Sequence, residues 1–282
     1  MNKKAIYGIL LAALIAGTNG IFIKYMSSMT IGSIAWFRTA VPVLFLLPFL
    51  GNKSNWNFKK ADKKVLLISA INAIRLYLYL TAYTYTSIGN AVVLFYTYPI
   101  VVLVLEFLLL KDKLKIKQLL LIILAFLGII TIYIGKPFSF QSNDFIGMMA
   151  ALAASIGYAF TIVLFKSEVG KYSKNQLVYY QNVFGAILFI PYLTTLPSAD
   201  VEQLGVAIIY GLIIGIIVFK LFFYGLKYLP AATATSLMYM EVISAILLGY
   251  LILNEALSWN IILGGAMILT SSYFIVKMKP VS

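Results

Sequence analysis

Ten apolar runs, each long enough to cross a bilayer and joined by short connections, constrain this chain more than any other feature. Bounded by Lys clusters, Gly or Pro, they fall at residues 5–26, 31–50, 65–86, 90–110, 116–134, 145–166, 175–196, 204–228, 231–253 and 259–276. About 20 apolar residues carry an α-helix across the hydrocarbon core. Lipid offers no partner to a backbone N–H or C=O, so such runs must close their hydrogen bonds within the segment. The fold class that follows is an all-α integral membrane protein with ten transmembrane helices. Charged residues make up only 11% of the 282, against roughly a quarter in a soluble domain. Little chain remains for an extramembrane catalytic domain, so any chemistry must sit between the helices.

The basic residues set a direction. With the N-terminus in the cytoplasm, 17 of the 22 Lys and Arg fall on cytoplasmic segments, among them Lys3, Lys4, Lys53, Lys59, Lys60, Lys63, Lys64, Lys111, Lys113, Lys115, Lys117, Lys166, Lys171 and Lys174. The opposite side carries Lys136 with Asp144, Asp200, Glu202 and Glu255. Such asymmetry is the positive-inside signal, and it places both termini in the cytoplasm of a multi-pass cell-membrane protein. The net charge of +13 is thereby explained by topology, and nucleic acid is not an expected partner. Residues 1 to 26 resemble a signal peptide, but the stretch is long and lacks a small-residue cleavage site; it is read as a helix of the bundle.

With no Cys and no His, thiol nucleophiles, Cys/His zinc sites and a Ser/His/Asp triad are excluded by inventory. No P-loop sequence occurs. No cofactor or metal and no enzymatic activity are expected.

Sliding the chain against itself by 143 positions aligns residues 31 to 134 with the second half: Pro48 meets Pro191, Tyr85 meets Tyr228, Tyr96 meets Tyr239, and Asp112 meets Glu255. The expected domains are two five-helix repeats, 1–138 and 139–282. Five is odd, so the second must lie inverted relative to the first, an arrangement typical of secondary transporters.

The residues that carry this pattern resemble a known family. Phe95-Tyr-Thr-Tyr-Pro99-Ile running to Leu110-Lys-Asp112-Lys-Leu114, with Leu237-Met-Tyr-Met-Glu241-Val running to Leu253-Asn-Glu255-Ala-Leu257, are similar to the paired helix motifs of the drug/metabolite transporter superfamily, specifically its ten-helix EamA-type exporters. Lys24, Arg38 and Gln181 also fall where that pattern puts such residues. Val242 departs from it, standing where a proline is usual after Glu241. The resemblance implies a bundle around a central cavity and export or exchange of small metabolites.

Charge inside a span costs about 2.5 to 3.5 kcal/mol at the centre on insertion scales, which makes each such residue a functional candidate. Six occur: Lys24, Arg38, Arg75, Glu106, Lys220 and Glu241. Lys24 and Glu106 lie near helix ends and can snorkel. Arg38 sits about two turns from the external end, where it pairs within the fold or lines a vestibule. Arg75, Lys220 and Glu241 fall at one depth, roughly 12 to 15 Å from the inner boundary, at the level where transporters hold substrate. Either Glu241 and one cation form a permanent ion pair, or the three form a site in which the spare cation favours a ligand bearing carboxylate or phosphate. Glu241 is then the candidate proton carrier. Further candidate substrate contacts are Tyr96, Tyr239, Tyr77, Asn19 and Gln181; Tyr79, Tyr98 and Tyr158 are similarly deep, and all could instead serve packing or inter-helix hydrogen bonds. Pro99 must kink the fourth span and is the candidate gate, whereas Pro230 starts the ninth helix. Gly211 and Gly215, four apart, and the pair Gly264 and Gly265 are expected to allow close helix packing. The function expected is secondary-active transport of a small polar or amphiphilic metabolite, of amino-acid or organic-anion type, by alternating access and in the efflux direction. A channel or a non-transporting partner subunit is the competing reading.

Overall fold

The computed structural model describes residues 2–50, 63–111, 115–134, 142–198, 200–253 and 258–278. Lys53, Lys59, Lys60, Asp112, Lys113, Leu114, Lys136, Asn254, Glu255, Leu257 and Lys279 lie outside them. Nine helical stretches among the described residues are long and apolar enough to span a membrane. A tenth span is counted if Lys174–Leu188 and Ile190–Leu196 are joined across a 65° bend. The protein is a multi-pass membrane protein, and large apolar side chains such as Leu108, Leu251 and Phe274 cover its outer surface.

The first, fourth and ninth spans are each interrupted within the bundle. The first comprises α1 (Lys3–Ala16) and α2 (Asn19–Tyr25). Between them Gly17 lies so close to Ser244 that an added Cβ would sit 2.5 Å from the serine Cβ. Ser244 Oγ donates to the Leu14 carbonyl at 2.7 Å, so a neighbouring side chain competes for the helix's own acceptor. The second span is α3 (Ile31–Leu46), and the third is the continuous α4 (Lys63–Tyr85).

The fourth span divides into α5 (Ile88–Phe95) and α6 (Tyr98–Leu110) around Tyr96 and Thr97. Pro99 falls in the first turn of α6, where its missing N–H costs no helical hydrogen bond. The kink expected from Pro99 is thus a full break. Ile100 N bonds Thr97 O, which leaves the Tyr96 carbonyl to accept the Tyr239 hydroxyl at 3.0 Å. Tyr239 itself lies in the break of the ninth span, between α12 (Ala231–Leu237) and α13 (Met240–Leu253). Two interrupted helices therefore cross at their breaks, joined by a bond between residues 143 positions apart.

The remaining helices are α7 (Ile116–Tyr133), α8 (Ser142–Glu168), α9 (Lys174–Leu188), α10 (Val201–Leu212), α11 (Phe219–Tyr228) and α14 (Trp259–Lys277). The seventh span, read from sequence as one run to residue 196, ends at Leu188; Phe189 separates it from a short 3-10 helix, Ile190–Ser198. Tyr192 of that helix lies across Gly32. In the eighth span a π-helical segment, Ile213–Val218, joins α10 to α11. Beside it Gly211 and Gly215 admit α3: an added Cβ would lie 2.7 Å from Phe37 O at the first and 2.4 Å from Pro42 Cγ at the second. α4 packs along α8, α7 along α14, and α3 against α9 and α10.

Candidate functional site

A cavity opens between the broken helices. Its wall takes Asn19 from α2, Arg38 from α3, and Arg75 and Tyr79 from α4. Phe95 comes from the end of α5 and Met238 from the break of the ninth span, Tyr98 from α6, Tyr158 from α8, Tyr210 from α10, Phe219 from α11 and Glu241 from α13. Two guanidiniums and one carboxylate thus share a chamber with six aromatic rings.

Each arginine is held by its neighbours. Arg75 donates from Nε and Nη2 to Asn72 Oδ1 at 3.1 and 3.0 Å, and Asn72 in turn donates to the Gln181 carbonyl at 2.8 Å. The Arg75 guanidinium lies over the Tyr158 ring, 4.3 Å from its centroid. Gly157 makes that approach possible, since a Cβ there would stand 3.0 Å from Arg75 Cβ. Arg38 lies over Phe219 at 4.9 Å and Tyr210 at 6.0 Å. The Tyr210 hydroxyl in turn donates to Asn19 Oδ1 at 2.8 Å. Stacking of this kind is worth about 0.5 to 2 kcal/mol; it fixes a guanidinium without neutralising it. Among the described residues no ion pair joins Arg38, Arg75 or Glu241 to any partner.

The structure brings Arg75, Glu241 and Asn19 into the cavity wall, with Tyr79, Tyr98 and Tyr158. Tyr96 and Tyr239 form the crossing beneath it, their rings 6.0 Å apart, rather than the wall. Lys220 does not line the cavity. Ile214, Val218 and Phe219 take the inward face instead, and a residue next along a helix is turned by about 100°, which leaves Lys220 only half-buried. Tyr77, two positions from Arg75, is 40% exposed on the far side of α4 and bonds the Tyr192 hydroxyl at 3.2 Å. Gln181 is buried at the contact of α4 with α9, outside the wall. Pro99 stands below the wall in the first turn of α6.

Arg38 and Tyr210 also line the cavity, the first expected from sequence only as a paired or vestibule residue and the second not singled out. Arg38 is the eighth residue of the 16-residue α3; centrality in its helix was the available signal. The charges near helix ends have other tasks. Lys24 is exposed. Glu106 does not snorkel: it is buried, and its carboxylate accepts the Ala231 and Ala232 N–H groups at 2.5 and 2.8 Å, capping α12. Lys166 donates to the Leu226 and Leu229 carbonyls at 2.8 and 2.7 Å. Glu168, 1% exposed, pairs with Lys64 at 2.9 Å and Lys171 at 2.8 Å. The ends rich in Lys are therefore tied by charged groups. At the other end, neutral bonds link Ser28 with Gln203 at 2.7 Å and Thr30 with Thr195 at 2.9 Å.

A bundle of helices long and apolar enough to span a membrane, broken where they meet a cavity holding buried charges, defines a polytopic membrane protein with a charged cavity between its helices. The chain belongs to the EamA-like transporter family of the drug/metabolite transporter superfamily: the family model matches residues 3–134 and again residues 145–277. A protein of Archaeoglobus fulgidus named an uncharacterized transporter is 28% identical over 264 residues, covering 93% of this chain and 92% of its own. The uncharacterized transporter YetK of Bacillus subtilis is 27% identical over 256 residues, covering 86% and 77%. A solved crystal structure at 14% identity superposes with a TM-score of 0.77 over 96% of this chain and 98% of that one, a likeness of fold.

Proposed function

We propose that the protein is a secondary-active transporter that moves a small polar or amphiphilic metabolite, of amino-acid or organic-anion type, out of the cell by alternating access around the central cavity. In this reading residues 1–138 and 139–282 are inverted five-helix repeats, both termini are cytoplasmic, and the Lys-rich ends face the cell interior. The observation that carries it is Arg38, Arg75 and Glu241 sharing one aromatic cavity without an ion pair to any described residue. A permanent structural bridge would have closed between them, because burying separated charges is costly unless a partner arrives. The guanidiniums receive a carboxylate or phosphate, the rings hold the apolar body, and Glu241 carries a proton when the cycle moves one. The breaks at Tyr96–Thr97 and Met238–Tyr239 supply joints beside the cavity. Opening inward requires release of the ties at Glu106, Lys166 and Glu168.

The test is a thermal-shift ligand screen on purified protein, repeated with Arg75→Ala and Glu241→Gln. Carboxylate-bearing ligands should stabilise the wild type and lose that effect in Arg75→Ala. Hits that persist unchanged in both variants would place the site elsewhere.

A further inference from the structure

The charges around the cavity do not balance, and the imbalance specifies the ligand more narrowly than its shape does. Arg38 and Arg75 bring two positive charges and Glu241 one negative. The other ionisable wall groups are the phenols of Tyr79, Tyr98, Tyr158 and Tyr210, which carry no charge at neutral pH when unperturbed. Elements packed against α13 add nothing to this sum. α1 carries Lys3, Lys4 and Tyr7, α2 carries Lys24 and Tyr25, and α14 carries Tyr273 and Lys277; none of these lines the cavity. Tyr96, close to Glu241, is another phenol and adds no charge at neutral pH when unperturbed. With Glu241 ionised, the chamber holds a net +1.

Inside a low-dielectric bundle an uncompensated charge is expensive, and a ligand that cancels it is favoured. A monoanion brings the occupied chamber to zero. A zwitterion leaves +1, because its ammonium adds back what its carboxylate removes. A dianion overshoots to −1 unless Glu241 takes a proton, which returns the sum to zero. We infer that the cavity selects by net charge: it takes an apolar-bodied monocarboxylate ahead of a zwitterion of the same shape, and takes a dianion only together with one proton on Glu241. The inference rests on the reading of this cavity as the substrate site and chooses the organic anion over the amino acid within it. It also sets the sense of coupling. A dianion and its proton are bound in the same step and travel together, so an acid leaving the cell down its own gradient carries its proton out.

Three probes with one phenyl body test this: 3-phenylpropionate as monoanion, phenylalanine as zwitterion and 2-phenylsuccinate as dianion. Calorimetric titration of the purified protein at pH 7.5, in two buffers of different ionisation enthalpy, gives affinity and protons exchanged. The expected result is 3-phenylpropionate binding at least about tenfold tighter than phenylalanine, about 1.4 kcal/mol, with no proton exchanged. 2-Phenylsuccinate should bind with uptake of about one proton. In Glu241→Gln that uptake should vanish while 2-phenylsuccinate still binds. Phenylalanine binding as tightly as 3-phenylpropionate, or 2-phenylsuccinate binding to wild type without proton uptake, overturns the inference. Arg38→Gln and Arg75→Gln separate its failure from that of the underlying reading. Binding that depends on the arginines but ignores ligand charge sinks the charge rule alone. Absence of binding to wild type, or binding indifferent to both arginines, sinks the site as well.

Discussion

Replacing Glu106 by Gln isolates one of the strongest polar contacts between the fourth and ninth spans. Both carboxylate oxygens accept backbone N–H groups, from Ala231 at 2.5 Å and Ala232 at 2.8 Å, and Glu106 is only 3% exposed. The two donors belong to the first turn of α12, whose own carbonyls lie on the wrong side to satisfy them. An ionised acceptor makes each bond worth about 1.5 to 3 kcal/mol. Glutamine can keep one bond through its carbonyl, but its NH₂ then faces the second N–H, leaving a buried donor without an acceptor. The expected loss is about 2 to 3 kcal/mol at the start of α12, or roughly a 30- to 150-fold rise in local opening. Hydrogen–deuterium exchange across residues 231–237 reads this directly. Glu106→Gln should accelerate exchange there by that factor while leaving α4 and α8 unchanged. Unaltered exchange in this segment would refute the cap, and with it the account of Glu106 as a tie rather than a snorkelling side chain.

Gly264→Ala should lower thermal stability in detergent by about 1 to 3 kcal/mol, since a methyl there would sit 2.3 Å from the Gly128 carbonyl; an unchanged melting profile would contradict the close crossing of α7 and α14. Tyr239→Phe removes the hydroxyl that bonds Tyr96 O and should cost about 0.5 to 1.5 kcal/mol in denaturant titration, with no cost counting against the crossing. Glu168→Gln weakens the ties to Lys64 and Lys171. Because the chain has no native Cys, a single Cys in place of the buried Ile162 reports the consequence: maleimide labelling should speed up in Glu168→Gln, and equal rates would show that these ion pairs do not hold that end shut.

What the sequence disclosed and what it withheld divide along a physical line. Apolar length and Lys placement give the helices and an expected direction, because bilayer thickness acts on every span alike. Depth along a helix is equally legible, and it brought Arg75 and Glu241 to one level. The direction of a side chain around its helix is not. Lys220 was expected at that level, yet Ile214 and Val218 of the π-helical segment Ile213–Val218 and Phe219 at the start of α11 line the cavity instead, and no local pattern announced it. Arg38 was expected about two turns from the external end of its span, in a pair or a vestibule, whereas α3 is drawn close to the eighth span at Gly211 and Gly215 and Arg38 lines the same cavity as Arg75 and Glu241. Glu168 escaped notice because the sixth span was read as ending at residue 166, before a carboxylate that the fold buries. The break at Tyr239 likewise has no proline to mark it, and is joined to the fourth span by a bond across the bundle.

The central claim, that the Arg38–Arg75–Glu241 cavity is the site of a transporter, is tested most directly by counterflow in proteoliposomes loaded with unlabelled 3-phenylpropionate and given the labelled compound outside. The account predicts a saturable, transient overshoot of label in wild type that is lost in Arg75→Gln. A flux that neither saturates nor overshoots, or an overshoot unchanged in Arg75→Gln, would contradict it.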